Sequence, residues 1–214
     1  MTEAIKSGRT LPPSKLAHVV LRSPRPKPMV EFYKAFLGAH VVAAIGPMTF
    51  ITYDDEHHRI AIGAFPGCGD KVRNSAGLEH IAFSFDTLND LFTAYRQRKA
   101  HGILPIWCVN HGPTTSLYAN YSAYQDPDGN VLETQVDNFD NVEDANEFMM
   151  SPAFVENVYG VDFDPEELIK RLESGEPESE IKKRPEIGPR SIETLPLLNP
   201  PPPLVKDSYD IIEA

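Results

Sequence analysis

Two short stretches decide the fold: Leu16-Ala17-His18-Val19-Val20-Leu21 and, sixty-two residues later, Leu78-Glu79-His80-Ile81-Ala82-Phe83. Each is a mostly apolar run with one histidine at its third position, the second also carrying Glu79. The offset holds beyond the histidines. Tyr33 and Lys34 fall on Tyr95 and Arg96, and Val41 falls on Ile103. An internal repeat of this kind means one supersecondary unit used twice. Two copies of one strand put two imidazoles in equivalent places.

Reading outward from the first stretch, Leu16 to Arg22 is a strand and the proline-rich run from Ser23 to Pro28 a loop. Met29 to Leu37 has the apolar stripe of a helix, ended by Gly38. Ala39–Ile45, Met48–Tyr53 and His57–Phe65 read as three strands. The second copy repeats the order: a strand at Leu78, a helix over 86–99, then strands over 103–109, 116–124 and 131–136. Asp126-Pro127-Asp128-Gly129-Asn130 is a turn before the last strand. The expected architecture is α+β, with two paired βαβββ modules forming a curved mixed sheet, or half-barrel, around a metal site. The modules span 16–66 and 77–137, together one domain over 16–137. Residues 1–15 form an arm and 138–175 a helical extension, with a helix starting at Asp164-Pro165-Glu166-Glu167. Residues 176–214 are a Pro-rich tail that either stays unfolded or is laid across another surface, such as a partner subunit.

The composition narrows the classes of function. Net charge is −11, with 20 Lys and Arg against 31 Asp and Glu, which disfavours nucleic acid as a partner. No apolar run reaches the ~20 residues of a membrane span, and Met1 to Lys15 has no signal-peptide core. Two cysteines, Cys68 and Cys108, point to a reducing compartment. The expectation is a cytoplasmic protein with no membrane partner.

Glu133 is the one charged residue of the strand over 131–136, and burying an unpaired charge is costly. With His18 and His80 it makes two imidazoles and one carboxylate. That set holds non-haem Fe(II) with open positions, and it also suits Mn(II) or Zn(II). The last strand of the first copy, Ile60-Ala61-Ile62-Gly63-Ala64, offers no fourth ligand.

The paired modules, the His18…His80…Glu133 set and the Asp126-Pro127-Asp128-Gly129-Asn130 turn resemble the vicinal oxygen chelate superfamily. That superfamily includes glyoxalase I, bleomycin resistance proteins and type I extradiol ring-cleaving dioxygenases. The run from Asp55 through His57-His58-Arg59 to Pro66 is similar to the dioxygenases of the biphenyl-diol type. The segment Gly160-Val161-Asp162-Phe163-Asp164-Pro165 looks like the tail of their single-module relatives. The resemblance implies that His58 lies near bound dioxygen as a base or proton shuttle, and that His111 helps hold the substrate. It also implies a tyrosine about three residues before the turn, where this chain has Ala123. Either Tyr121, on the same strand face, or Tyr124, by way of a bulge, replaces it, or the role is lost.

The expected function is therefore an Fe(II)-dependent extradiol dioxygenase. Its partners are a catechol-like aromatic substrate and dioxygen, and the assembly is a homodimer. A metal-dependent isomerase, lyase or cyclase of the same superfamily is the alternative, as is a non-catalytic small-molecule binding protein.

Overall fold

A computed structural model describes residues 10–72, 75–119 and 126–196. The first copy forms β1 (Val19–Arg22), α1 (Pro26–Leu37), β2 (His40–Ile45), β3 (Met48–Thr52) and β4 (Ile60–Gly63). The second forms β5 (His80–Phe85), α2 (Leu88–Ala100), β6 (Trp107–Asn110), β7 (Thr114–Ala119) and β8 (Val131–Asp137). Beyond them come α3 (Val142–Met149), α4 (Pro152–Glu156), β9 (Val161–Asp162), α5 (Pro165–Glu173), α6 (Glu178–Ile181) and a 3₁₀ turn, Ile192–Thr194.

The strands make two mixed sheets, ordered β1-β4-β3-β2 and β5-β8-β7-β6-β9. In each, the first strand of the module pairs in parallel with the last, Val19 beside Ile60 and His80 beside Val131. The sheets thus repeat one topology, and the expected α+β architecture of two βαβββ modules is observed. The extension adds β9, which pairs antiparallel with β6 and widens only the second sheet.

Three local differences from the sequence reading have plain causes. Helix α1 begins at Pro26, three residues before the expected start. Proline lacks only an N–H that a first helical turn leaves unused, and its φ is already helical. The strand expected from His57 begins at Ile60. The Asp54 carboxylate accepts from the Glu56 N–H (3.1 Å) and from Arg59 Nε (2.9 Å), which holds 54–59 in a bend. The strand expected from Ile103 begins at Trp107, because Pro105 cannot donate to a ladder.

The modules share one core. Met29, Phe32, Tyr33 and Phe36 of α1 pack with Ile51, Ile60 and Ile62 of their own sheet, and also with Leu132, Ile81 and Phe83 of the other. Polar bonds reinforce the seam. Arg98 of α2, only 2% exposed, donates to the Phe36 carbonyl (2.7 Å) and to Thr134 Oγ1 (3.1 Å). The Tyr33 hydroxyl donates to Asp126 (3.0 Å), whose carboxylate also accepts from the Asp128 and Asn130 N–H groups and closes the turn into β8. Residues 176–196 lie on their own chain. Glu178 accepts from the first N–H groups of α2, and Arg184 donates to the carbonyls of His111, Asn157 and Ala153.

Candidate metal site

Side chains alternate between the two faces of a strand, so register decides which groups meet. In the second sheet Ala82 stands beside Glu133, and Tyr118 stands opposite it. His80, Glu133 and Tyr118 therefore share the face turned away from α2. His80 Nε2 lies 3.1 Å from Glu133 Oε2. Glu133 is 3% exposed. Burial opposes its ionisation, but hydrogen bonds from His80, Ser116 and Tyr118 outweigh that and hold the carboxyl below its ordinary value. The same bond to Glu133 outweighs burial at His80 and raises the imidazole above 6.5. Among the described residues, the buried His80 Nδ1 has no hydrogen-bond partner.

Aromatic groups surround the pair. Tyr118 stacks on Trp107 with ring centres 5.0 Å apart, and meets His80 edge to face at 5.4 Å. His111 Nε2 lies 3.1 Å from the Tyr118 hydroxyl. Burial pushes the Tyr118 phenol well up, aided by the Glu133 charge, and pushes His111 down.

The first sheet carries a second group. His18 precedes β1, and Arg59 holds that approach by donating to the Leu16 and Ala17 carbonyls, both at 3.0 Å. Because β1 runs parallel to β4 with Val19 beside Ile60, the residues before β4 fall next to His18. The His18 and His58 ring centres are 4.4 Å apart, and Phe50 meets His58 edge to face at 5.1 Å. Desolvation lowers the His58 pKa, and the charges of His18 and His57 lower it further. His57, beside Glu56, is exposed.

The structure thus brings His80 to Glu133, His58 to His18, and His111 to Tyr118. Among the described residues, no group of three His, Cys, Asp or Glu side chains is disposed to hold a metal ion. His18 is exposed and keeps to the imidazole group of its own module. Tyr121, Tyr124 and Ala123 lie outside the described residues.

With two imidazoles and a carboxylate on matching modules, comparison with known proteins becomes informative. The model of the glyoxalase/bleomycin resistance protein/dioxygenase superfamily matches residues 15–134. The chain belongs to that superfamily. It is 43% identical over 168 residues to biphenyl-2,3-diol 1,2-dioxygenase 2 of Rhodococcus globerulus, which covers 78% of this chain and 86% of that protein. It is 42% identical over 172 residues to biphenyl-2,3-diol 1,2-dioxygenase 3 of the same organism, over 79% and 88% of the two chains. Among solved structures, lactoylglutathione lyase from Agrobacterium tumefaciens is 18% identical over 59% of this chain and 96% of that one, with a TM-score of 0.47.

Within this superfamily chain, Tyr118 is the site residue that sequence reasoning passed over. Counting back from the turn directs attention to position 123. The signal for Tyr118 is its place opposite Glu133, which requires the register of β7 on β8.

Proposed function

We propose that this protein is a metal-dependent, ring-cleaving dioxygenase of the extradiol type acting on a catechol-like aromatic diol. The observation that carries the reading is the 42–43% identity to two dioxygenases named for biphenyl-2,3-diol, each over more than three-quarters of the chain. The donor chemistry agrees with it. Two ligands about 2.1 Å from one ion and at right angles stand about 3 Å apart, and His80 Nε2 and Glu133 Oε2 are 3.1 Å apart. His80, Glu133 and His18 are assigned as the ligands. His18 is exposed, so its imidazole can change rotamer without disturbing the core. Fe(II) is the ion that fits a dioxygenase, with Mn(II) and Zn(II) compatible with the same donors.

Fe(II), when bound, supplies positive charge and open positions for the two diol oxygens and for dioxygen. The chain's own groups do the rest. Tyr118 and Ser116 fix the Glu133 carboxylate by hydrogen bonds. His58 has a depressed pKa and is neutral near pH 7, so it can accept a proton from a diol hydroxyl. Trp107 and Tyr118, both buried, give an apolar wall against which an aromatic ring excludes water. His111, held by Tyr118, is assigned to hold the substrate.

Protein loaded anaerobically with Fe(II) should consume one dioxygen per catechol and yield a product containing both oxygen atoms. An oxygen electrode with mass analysis after ¹⁸O₂ labelling reads this. Turnover of a diol without oxygen would move the reading to an isomerase or lyase. No turnover and no iron binding would leave a binding protein.

A further inference from the structure

The face that carries His80 and Glu133 has a third layer, and it comes from the far end of the chain. Val131 stands beside His80, and Tyr118 stands opposite Glu133. Both belong to a buried cluster with Trp107, Val109 and Leu195. Leu195 is 7% exposed, although it follows a stretch with no sheet or long helix of its own. It therefore belongs to the same buried cluster as Val131, the strand partner of His80, and Tyr118, the strand partner of Glu133.

The segment that delivers Leu195 is clamped. Arg190 pairs with both Asp162 oxygens, at 2.5 and 2.9 Å, and donates to the Gly160 carbonyl at 3.2 Å. Its guanidinium lies 5.6 Å from the centre of the Trp107 ring. Trp107 Nε1 donates to the same Asp162 at 2.6 Å. Thus β9, the aromatic wall and the strap share one carboxylate. The Ser191 side chain caps the 3₁₀ turn through the Glu193 N–H.

We propose that residues 190–195 form a fixed wall of the aromatic-diol site, and that Leu195 limits the size of the ring substituent that fits beside Tyr118 and Trp107. The ligand class is a catechol with an apolar substituent, so the inference rests on the proposed function. A ring bound at His80 and Glu133 has Tyr118 on one side. A substituent projecting across Val131 and Tyr118 meets the leucine side chain. One methylene more or less in such a pocket changes discrimination about 10- to 200-fold.

Trp107 is the chain's single tryptophan, which gives a readout independent of turnover. Anaerobic titration of the iron-loaded full chain with catechol, 3-methylcatechol and biphenyl-2,3-diol, followed by Trp107 emission, yields Kd values. In Leu195→Ala the affinity for biphenyl-2,3-diol relative to catechol should rise about tenfold, and in Leu195→Phe it should fall. Arg190→Ala, which frees the clamp, should move the ratio in the same direction as Leu195→Ala. An unchanged or reversed ratio in Leu195→Ala and Leu195→Phe, with far-ultraviolet circular dichroism intact, overturns the wall. So does wild-type emission that responds to no diol. Oxygen uptake in the same samples judges the reaction separately. A shifted ratio without uptake keeps the wall and removes the dioxygenase, whereas uptake with an unshifted ratio does the reverse.

Discussion

Tyr118 joins three parts of the site through one hydroxyl and one ring. It bonds Glu133, lies 3.1 Å from His111, and stacks on Trp107. Removing the hydroxyl leaves Glu133 with His80 and Ser116, so the carboxylate stays paired but is less firmly aimed. Groups that orient a metal ligand typically matter 10- to 100-fold in affinity or rate. Tyr118→Phe should lower iron retention against a competing chelator at least tenfold while the fold is kept, as read by metal analysis and circular dichroism. A second residue-scale expectation concerns Cys108. Burial foremost, then the charges of Asp164 and Asp162, pushes its thiol up to about 12. Since thiolate is the reactive form, Cys108 should resist iodoacetamide at pH 8 in the native protein and react once urea unfolds it. Peptide mass mapping distinguishes the two. His80 and Glu133 were legible as candidates because polar groups stand out in apolar runs. The ligand set predicts that the two meet at one site; that they touch directly, at 3.1 Å, follows from a two-residue diagonal between β5 and β8.

Elements were legible where their signals are local. Asp164 does cap α5, its carboxylate accepting from the Glu166 N–H at 2.8 Å, and Gly38 at φ 64° does end α1. The Asp126 turn was legible as a turn. Its second task, receiving Tyr33 from the other module, lies 93 residues away in sequence and leaves no local trace. The repeat hides a further asymmetry. Tyr95, the counterpart of Tyr33, donates to Glu166 of α5 (3.1 Å), so the extension does for the second module what the second module does for the first. Arg98 is the strongest case of an element joined across the seam. It lies in α2, yet its guanidinium sits 4.2 Å from the centre of the Phe36 ring in α1 and donates to the Phe36 carbonyl. Arg98→Ala would remove both hydrogen bonds and the ring contact and open space in the core, so a loss of about 3 kcal/mol follows. Urea unfolding monitored by circular dichroism should show a lower midpoint. A change below about 0.5 kcal/mol, the usual range for a surface site, would mean that the seam is held by apolar packing alone.

At the scale of the molecule, two modules share a core on one side and present His18 from one sheet and His80 with Glu133 from the other. The Pro-rich composition of the tail, residues 176–214, predicts no core of its own, and its described part, 176–196, buries Ile181 and Leu195 in clusters with other elements. Where it lands was not legible, because single residues without periodicity, Arg184, Arg190 and Leu195, anchor it. A ligand bound across both modules and absent from the unfolded chain stabilises the whole by mass action, about 2.7 kcal/mol when present at 100 times its Kd. For a chain of this size each kcal/mol moves Tm by roughly 2–4 °C. Iron-loaded protein should therefore melt about 5–10 °C above the same protein stripped by a chelator. The comparison that matters is Leu195→Ala beside His18→Ala. Leu195→Ala leaves all three donors in place and should keep most of the increment, even if both of its forms melt lower. His18→Ala removes the only assigned donor of the first module at an exposed position, so its stripped form should melt close to stripped wild type. Two donors on one sheet then remain, and most of the metal-dependent increment should disappear. A full increment in His18→Ala, measured by calorimetry with bound iron quantified, would place the ion on the second module alone and free His18 for the imidazole group it joins with His58.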